Sequence, residues 1–254
     1  MARLNADKMS FLEHLDELRV RLVHAVIALI VGFGIAWVFH EPLFHFLTHP
    51  LRTAYPDVKF VFTGMSEALL LYMKMAFFVG IFIASPYVLY QVWAFIAPGL
   101  YAHEKAYAVP FIVAGTAFFF AGAAFGHYFL FPITFKFLVA FGGKDMTFLP
   151  RVGEYFTFYS WFLLGLGAVF QLPVVIFVLS RIGLVTPRFL LRHFRWAVLV
   201  AFIVAAVITP TPDMVTQTLL ALPMLGLYLL GVGVAFLFGK PRRAEKTESV
   251  SAEA

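Results

Sequence analysis

Six long apolar runs constrain this chain more than any other feature of its sequence. They cover residues 20–39, 68–97, 107–131, 155–182, 196–208 and 215–238. A helix of about 20 apolar residues crosses the roughly 30 Å of bilayer hydrocarbon, and all runs but the fifth reach that length. Only 13% of the residues are charged, against 62% hydrophobic. The sequence therefore predicts an all-α membrane protein with six transmembrane helices in a single domain over residues 1–239, followed by a disordered polar tail over 240–254.

The lysines and arginines between these runs predict the orientation of the helices. Four lie before or at the start of the first run, one lies between the second and third, four lie at the end of the fourth or between it and the fifth, and four follow the sixth. The opposite connections contain Arg52, Lys59, Lys144 and Arg151, with Lys136 close to the end of the third run. Because cytoplasmic loops of membrane proteins are enriched in Lys and Arg, both termini are expected in the cytoplasm.

Prolines and one short run predict an irregular bundle. Pro86, Pro173 and Pro223 lie inside apolar runs, where each removes a backbone hydrogen bond and is expected to kink its helix. The fifth run gives only about 20 Å of helix, so the turn at Thr209 is expected at membrane depth. We expect a kinked, concave bundle with short fifth and sixth helices. Residues 43–51 have helical apolar spacing, which predicts a short interfacial helix.

A dense group of charges precedes the first run. Ser10 and Glu13 have the S-x-x-E spacing in which a serine caps a helix and the glutamate bonds back to the serine amide, so both are expected to be structural. Asp16 is expected to face solvent or to pair with Arg19.

Two further carboxylates suggest a binding site. Glu17 is spaced for an i,i+4 ion pair with Arg21, which would explain it structurally. Glu104 lies in the short connection after the second run, on the same predicted side of the membrane, and alone it would be an ordinary loop residue. Two neighbouring carboxylates would suit a ligand with adjacent guanidinium groups, because guanidinium binds carboxylate through paired hydrogen bonds.

Other classes of function have weaker support. The chain has no cysteine, no nucleophile elbow and no phosphate-binding loop, so we expect neither an enzyme nor a cofactor. His40, His45 and His49 suggest an alternative, an intramembrane metalloenzyme, but HEPLFH lacks the zinc spacing H-E-x-x-H. We expect no metal site. Most cations flank apolar runs, which argues against nucleic acid as a partner.

Gln171 is a polar residue in the middle of the fourth run. It could form an interhelical hydrogen bond or have a functional role at membrane depth. A solute transporter, the second alternative, would be expected to have several ionisable groups at that depth and duplicated halves. Neither feature is evident in the sequence.

Several motifs resemble one known family. FLEHLDELRVRL and SPYVLYQVWAFIAPGLYAHEK resemble the two signatures of TatC, the receptor subunit of the twin-arginine protein translocase. AFGHYFLFP, FQLPVVIFVLSRIGLVTP and TPTPDMVTQTLLALPM follow in the family's order. The resemblance covers nearly the whole chain apart from the tail. It implies a multi-pass protein of the prokaryotic cytoplasmic membrane that binds signal peptides with two consecutive arginines on folded precursor proteins.

The resemblance also implies partners and assigns site residues. It makes Glu17 and Glu104 signal-peptide contacts, with Phe95 and Arg19 on the adjoining surface. The partners are single-span TatA and TatB-type subunits and other copies of the chain, and the proton-motive force drives transport.

A second group of residues resembles the region where partner helices dock. It comprises Thr209, Gln217 and Gln171, of which Gln171 replaces a glutamate found in many relatives. The amide of Gln171 is uncharged at every pH, so it supplies no carboxylate there, although it can still form hydrogen bonds with a polar group of a partner. His127 stands where another aromatic residue is usual, and the resemblance gives it no role.

Overall fold

The computed structural model of the protein describes residues 11–56, 58–61, 64–96, 108–143, 148–209 and 213–239, without the side chains of residues 11–13, 96 and 108. Helices dominate this part, and its strand pairing is a single bridge between Val61 and Arg151. In chain order the elements are α1 (Phe11–Val38), α2 (His40–Ala54), α3 (Glu67–Ile96), α4 (Ala108–Phe125), a π-helical turn (Gly126–Leu130), α5 (Phe131–Ala140), α6 (Val152–Val169), α7 (Leu172–Arg181), α8 (Pro187–Arg192), α9 (Phe194–Ile208) and α10 (Met214–Phe238).

Five helical stretches of the described residues are long and apolar enough to cross a membrane. They are His14–Val38, Glu67–Phe95, Val109–Ala140, Val152–Arg181 and Met214–Phe238. The remaining apolar helix, α9, has 15 residues. At 1.5 Å per residue it is about 22 Å long, shorter than the hydrocarbon thickness. The prediction of six spans thus corresponds to five full-length candidates and one short helix, the predicted fifth.

Two predictions about the later helices were wrong. The sixth apolar helix is not short, because α10 continues through Pro223 for 25 residues. The third apolar helix was expected to end at residue 131, yet the π-helical turn and α5 continue it to Ala140. Pro132 lies in the first turn of α5, where its missing amide hydrogen removes no bond within that helix.

Prolines act differently in α3 and in the fourth predicted helix. That helix is interrupted at Phe170 and Gln171, and Pro173 lies in the first turn of α7. In contrast, α3 is continuous through Pro86. The proline lacks the amide hydrogen that would bond the Phe82 carbonyl, and the hydroxyl of Ser85 donates to that oxygen at 2.8 Å. This local bond satisfies a group that membrane lipid could not satisfy.

Glycines set the closest approach between α1 and α3. A β-carbon added at Gly32 would lie 2.5 Å from the carbonyl oxygen of Gly80, and one added at Gly80 would lie 2.7 Å from the backbone nitrogen of Phe33. Small residues allow such contact between membrane helices, where van der Waals packing is a main source of association. The two helices pair antiparallel, because His14 stacks on Phe95 further along the same interface.

Aromatic side chains of α6 form the centre of the bundle. Phe156, Tyr159 and Phe162 are fully buried, together with Phe131 of α5. The short helix predicted for residues 43–51 is confirmed as part of α2, which buries Leu47 and Leu51 against this core, and its interfacial location stays a prediction. The hydroxyl of Tyr155 donates to the Leu47 carbonyl at 3.2 Å, which ties α2 to α6.

Candidate functional site

A groove of about 510 Å³ lies between the N-terminal part of α1 and the C-terminal half of α3. Its lining combines acidic, basic, amide and aromatic side chains: Asp16, Glu17, Val20, Arg21, His24, Tyr87, Tyr90 and Gln91. The antiparallel pairing of the two helices brings these residues together, because it places the start of α1 beside the end of α3. The charged segment singled out in the sequence therefore faces a preformed concave surface.

Glu17 forms an ion pair with Arg21, as the i,i+4 spacing predicts. Its Oε1 accepts hydrogen bonds from Nε of Arg21 at 2.9 Å and from Nη2. The exposed fractions of the two side chains are 18% and 24%, so the pair is partly shielded from solvent. Nη1 of Arg21 makes a long hydrogen bond of 3.5 Å to Oε1 of the buried Gln91. A residue of α3 thus helps to hold the guanidinium against Glu17.

The second carboxylate oxygen of Glu17 has a different environment. Oε2 is buried and has no hydrogen-bond partner among the described residues. Nδ1 of His14 lies 4.0 Å from it. His14 in turn stacks on Phe95, with ring centroids 4.3 Å apart. A buried carboxylate oxygen without a donor is costly, so this position favours an additional cationic donor.

The other predicted residues of this surface divide into two groups. Asp16 and Arg19 are exposed and form no ion pair with each other, and of the two only Asp16 lines the groove. Ser10, Glu104 and the side chain of Glu13 lie outside the described residues. Phe95 is near Glu17 through its stack with His14, and its role in peptide binding stays a prediction.

Gln171 lies at the break between α6 and α7 and bonds to a neighbouring helix. Its Nε2 donates to the carbonyl oxygen of Gly115 in α4 at 2.9 Å. The interhelical hydrogen bond, one of the two roles left open by the sequence, is therefore present. Contact with a partner subunit stays a prediction.

We expect Gln171→Leu to lower the free energy of unfolding by about 1 kcal/mol, the usual size of an interhelical hydrogen bond in a membrane. Thermal unfolding of the purified chain in detergent measures this change. Gln217→Leu is the matched control, because the described residues offer its amide no hydrogen bond, and its effect should stay within about 0.5 kcal/mol. Equal losses in the two variants would contradict the assignment.

Two of the three residues expected at the partner-docking region, Thr209 and Gln217, lie at the junction of α9 and α10. Thr209 is buried at the end of α9, where its hydroxyl donates to the Ala205 carbonyl at 2.9 Å. Asp213 caps α10 by accepting a hydrogen bond from the Thr216 amide at 2.7 Å. Gln217, one turn further, is half-buried. Thr209 also lines a cleft of about 840 Å³ shared with charged residues at the start of α3 and α6.

The histidines of α2 do not form a cluster that could hold a metal. Within the described part of the chain, no three His, Cys, Asp or Glu residues are grouped for that purpose. Nδ1 of His40 instead lies 2.8 Å from the carbonyl oxygen of Trp37. The metalloenzyme alternative thus has no geometric support among these residues.

Sequence reasoning missed several residues of the groove, namely His14, Tyr87, Tyr90 and Gln91. Gln91 carried a usable signal, because a buried amide in an apolar helix is a candidate for a functional or hydrogen-bonding role. His14 carried none. Its importance depends on the pairing of α1 with α3, which neither helix reveals alone.

Comparisons with known proteins give a consistent result. The family model described as "Sec-independent protein translocase protein (TatC)" matches residues 13–223. The TatC protein of Koribacter versatilis is 40% identical over 251 residues, covering 96% of this chain and 92% of that protein. The TatC protein of Desulforapulum autotrophicum is 41% identical over 244 residues, covering 96% of this chain and 90% of that protein.

Solved structures agree with these sequence matches. Two crystal structures of a "Twin Arginine Translocase Receptor- TatC", one of them in DDM, are each 36% identical to this chain. Their TM-scores against this chain are 0.78 and 0.80. The superpositions cover 89% and 90% of this chain, and 99% and 100% of the crystallised chains. With a family match over most of its length and relatives of this similarity, the chain belongs to the TatC family of Sec-independent protein translocase proteins.

Proposed function

We propose that this chain is the receptor subunit of a twin-arginine translocase and that the groove between α1 and α3 binds the arginine pair of a signal peptide. One observation carries the proposal. Arg21 donates hydrogen bonds to Oε1 of Glu17, while the buried Oε2 has no hydrogen-bond partner among the described residues. A guanidinium from a peptide supplies the missing donors, and its planar shape suits both a carboxylate and the faces of Tyr87 and Tyr90.

Glu104 provides the second carboxylate in this proposal. It follows Phe95 by nine residues in the sequence, in the connection that leaves the end of α3. The His14–Phe95 stack places that end of α3 beside Glu17, so the connection starts close to the groove. Phe95 and the exposed Arg19 belong to the adjoining surface, which contacts the peptide around its arginine pair.

The remaining parts of the proposed function concern partners and orientation. Thr209, Gln217 and Gln171 bind TatA and TatB-type subunits and recruit them for export of folded proteins, driven by the proton-motive force. The half-buried amide of Gln217, for which the described residues provide no hydrogen bond, supports this assignment. The receptor assembles with copies of itself in a prokaryotic cytoplasmic membrane, and the distribution of Lys and Arg supports cytoplasmic termini.

A twin-Lys peptide is expected to bind this chain about tenfold more weakly than the same peptide with twin Arg. Lysine keeps the charge but replaces the planar fork with a single ammonium group, which cannot make paired hydrogen bonds to a carboxylate. Fluorescence anisotropy with the full chain in nanodiscs compares the two labelled peptides. A peptide with two neutral glutamines gives the baseline. Equal affinity for the Arg and Lys peptides would contradict paired recognition and favour simple charge attraction.

A further inference from the structure

A second concave site lies beside α2. It is a pocket of about 360 Å³ between α2, α3, α4, the π-helical turn and α6. This volume falls within the range of about 300–1,000 Å³ usual for sites of small ligands. Apolar side chains make up most of its lining, including Leu43, Phe82 and Leu163. The side chains with polar atoms in this lining are Tyr128, Tyr159 and the deeply buried His127.

His127 has one ring nitrogen that lacks a partner. The residue is 3% exposed, and its Nδ1 lies 2.6 Å from the hydroxyl oxygen of Tyr159. Its Nε2 is buried and has no hydrogen-bond partner among the described residues. The π-helical turn carries the histidine, and such turns occur often at functional sites.

The hydrogen-bond inventory assigns the proton of this imidazole. Tyr159 is fully buried, and Nδ1 of His127 is the acceptor available to its hydroxyl among the described residues. If the hydroxyl donates to Nδ1, one group is left unsatisfied, the Nε2–H. The other tautomer leaves two, the tyrosine hydrogen and the Nε2 lone pair. The first arrangement is therefore favoured. In it, Nε2 carries a hydrogen and is a donor without an acceptor among the described residues.

The depth of the site identifies the chemistry of that acceptor. The ring of His127 stacks on Phe46 of α2, with centroids 4.8 Å apart. Tyr159 lies seven residues into α6, about 10 Å from its start. The amphipathic α2 matches a helix lying at the boundary between hydrocarbon and headgroups, and the pocket opens beneath it. Phospholipid ester carbonyls occupy this boundary, and acyl chains extend from it into the hydrocarbon.

We propose that this pocket binds one acyl chain of a phospholipid from the leaflet on the side of α2, with the ester carbonyl accepting a hydrogen bond from Nε2 of His127. The apolar lining accommodates the chain and the buried donor fixes its upper end. This inference does not depend on the proposed function, because none of the residues that line this pocket lines the groove between α1 and α3.

Ester and ether lipids distinguish this proposal from nonspecific lipid contact. The full chain in nanodiscs is photolabelled with a phosphatidylglycerol that carries a diazirine on its sn-2 acyl chain, and the labelled peptides are mapped by mass spectrometry. We expect labelling at α4 and α6. Unlabelled diester phosphatidylglycerol should compete about fivefold better than the dialkyl-ether lipid of equal chain length, the size of one neutral hydrogen bond. Equal competition, or labelling away from the pocket, would overturn the proposal.

Three variants test the roles of the donor and the pocket separately. His127→Phe keeps an aromatic ring but removes the donor, so the preference for ester over ether should vanish. Ala124→Leu extends into the pocket from its exposed edge and should lower labelling at least fivefold. Ala121→Leu is the matched control, because it makes the same change in the same helix outside the pocket lining. A preference retained in His127→Phe, or equal labelling of the two alanine variants, would refute the site.

Discussion

The double variant Glu17→Gln, Glu104→Gln is expected to bind a twin-arginine signal peptide about a hundredfold more weakly than the unmodified chain. Each substitution replaces a charge-assisted hydrogen bond with a neutral one, at a cost of about 1.5 kcal/mol, and the two losses multiply in the affinity. Glu17→Gln alone should therefore weaken binding about tenfold. Anisotropy of a labelled peptide, with the chain in nanodiscs, measures both effects.

The local structure at Glu17 makes this test specific. A glutamine keeps one side-chain oxygen that can accept from Arg21, so the contact between α1 and α3 is retained and the melting temperature should change by only a few degrees. Asp16→Asn is the matched control, because it neutralises the adjacent carboxylate on the rim of the same groove. Its affinity should change less than about threefold, as rim charges contribute little. A double variant with unchanged affinity would refute the arginine site.

Glu13→Gln provides a second comparison with a different expected readout. The S-x-x-E spacing assigns Glu13 to the start of the helix, so its neutralisation should lower stability by about 0.5–1 kcal/mol and leave peptide affinity nearly unchanged. Chemical unfolding followed by circular dichroism, together with the peptide titration, separates the two effects. A loss of affinity as large as that of Glu17→Gln would instead place Glu13 in the binding site.

Gly80→Val is expected to have the largest effect on stability, a loss of about 3 kcal/mol. The new β-carbon would lie 2.7 Å from a backbone nitrogen and 3.0 Å from two further backbone atoms of α1, none of which can move independently as a side chain would. The helices must separate, which removes close packing along α1. Only 11% of the apolar stretch of α1 is buried, so few other contacts can compensate for the lost packing. Thermal unfolding monitored by tryptophan fluorescence measures the loss.

Gly34→Val is the matched control for this prediction. Gly34 is in α1, two residues from Gly32, and nothing lies within 4 Å of a β-carbon added there. The same substitution should therefore change stability by no more than about 0.5 kcal/mol. Gly80→Val should also weaken peptide binding, because separation of α1 from α3 moves Glu17 and Arg21 away from Gln91. Similar stability in the two variants would show that the glycine contact does not hold the helices together.

The ends of the helices show where local sequence information was sufficient and where it was not. Apolar length predicted the long helices and the short α9, and apolar spacing predicted α2. Apolar composition could not reveal the π-helical turn, nor the break at Phe170 and Gln171. Both lie inside runs that remain apolar, so composition does not change where the backbone does. Pro132 and Pro173 gave partial signals, since each follows an irregularity and lies in the first turn of the next helix.

The sequence by itself determined the membrane character of the chain, its main helices and the pairing of Glu17 with Arg21, because these depend on the length of apolar segments and on spacing within one helix. Tertiary structure alone decided that Gln91 supports Arg21, that Gln171 bonds to Gly115 and that His127 meets Tyr159. The reason is physical. Lipid is as apolar as leucine, so hydropathy marks which segments enter the bilayer but not which faces pack against one another.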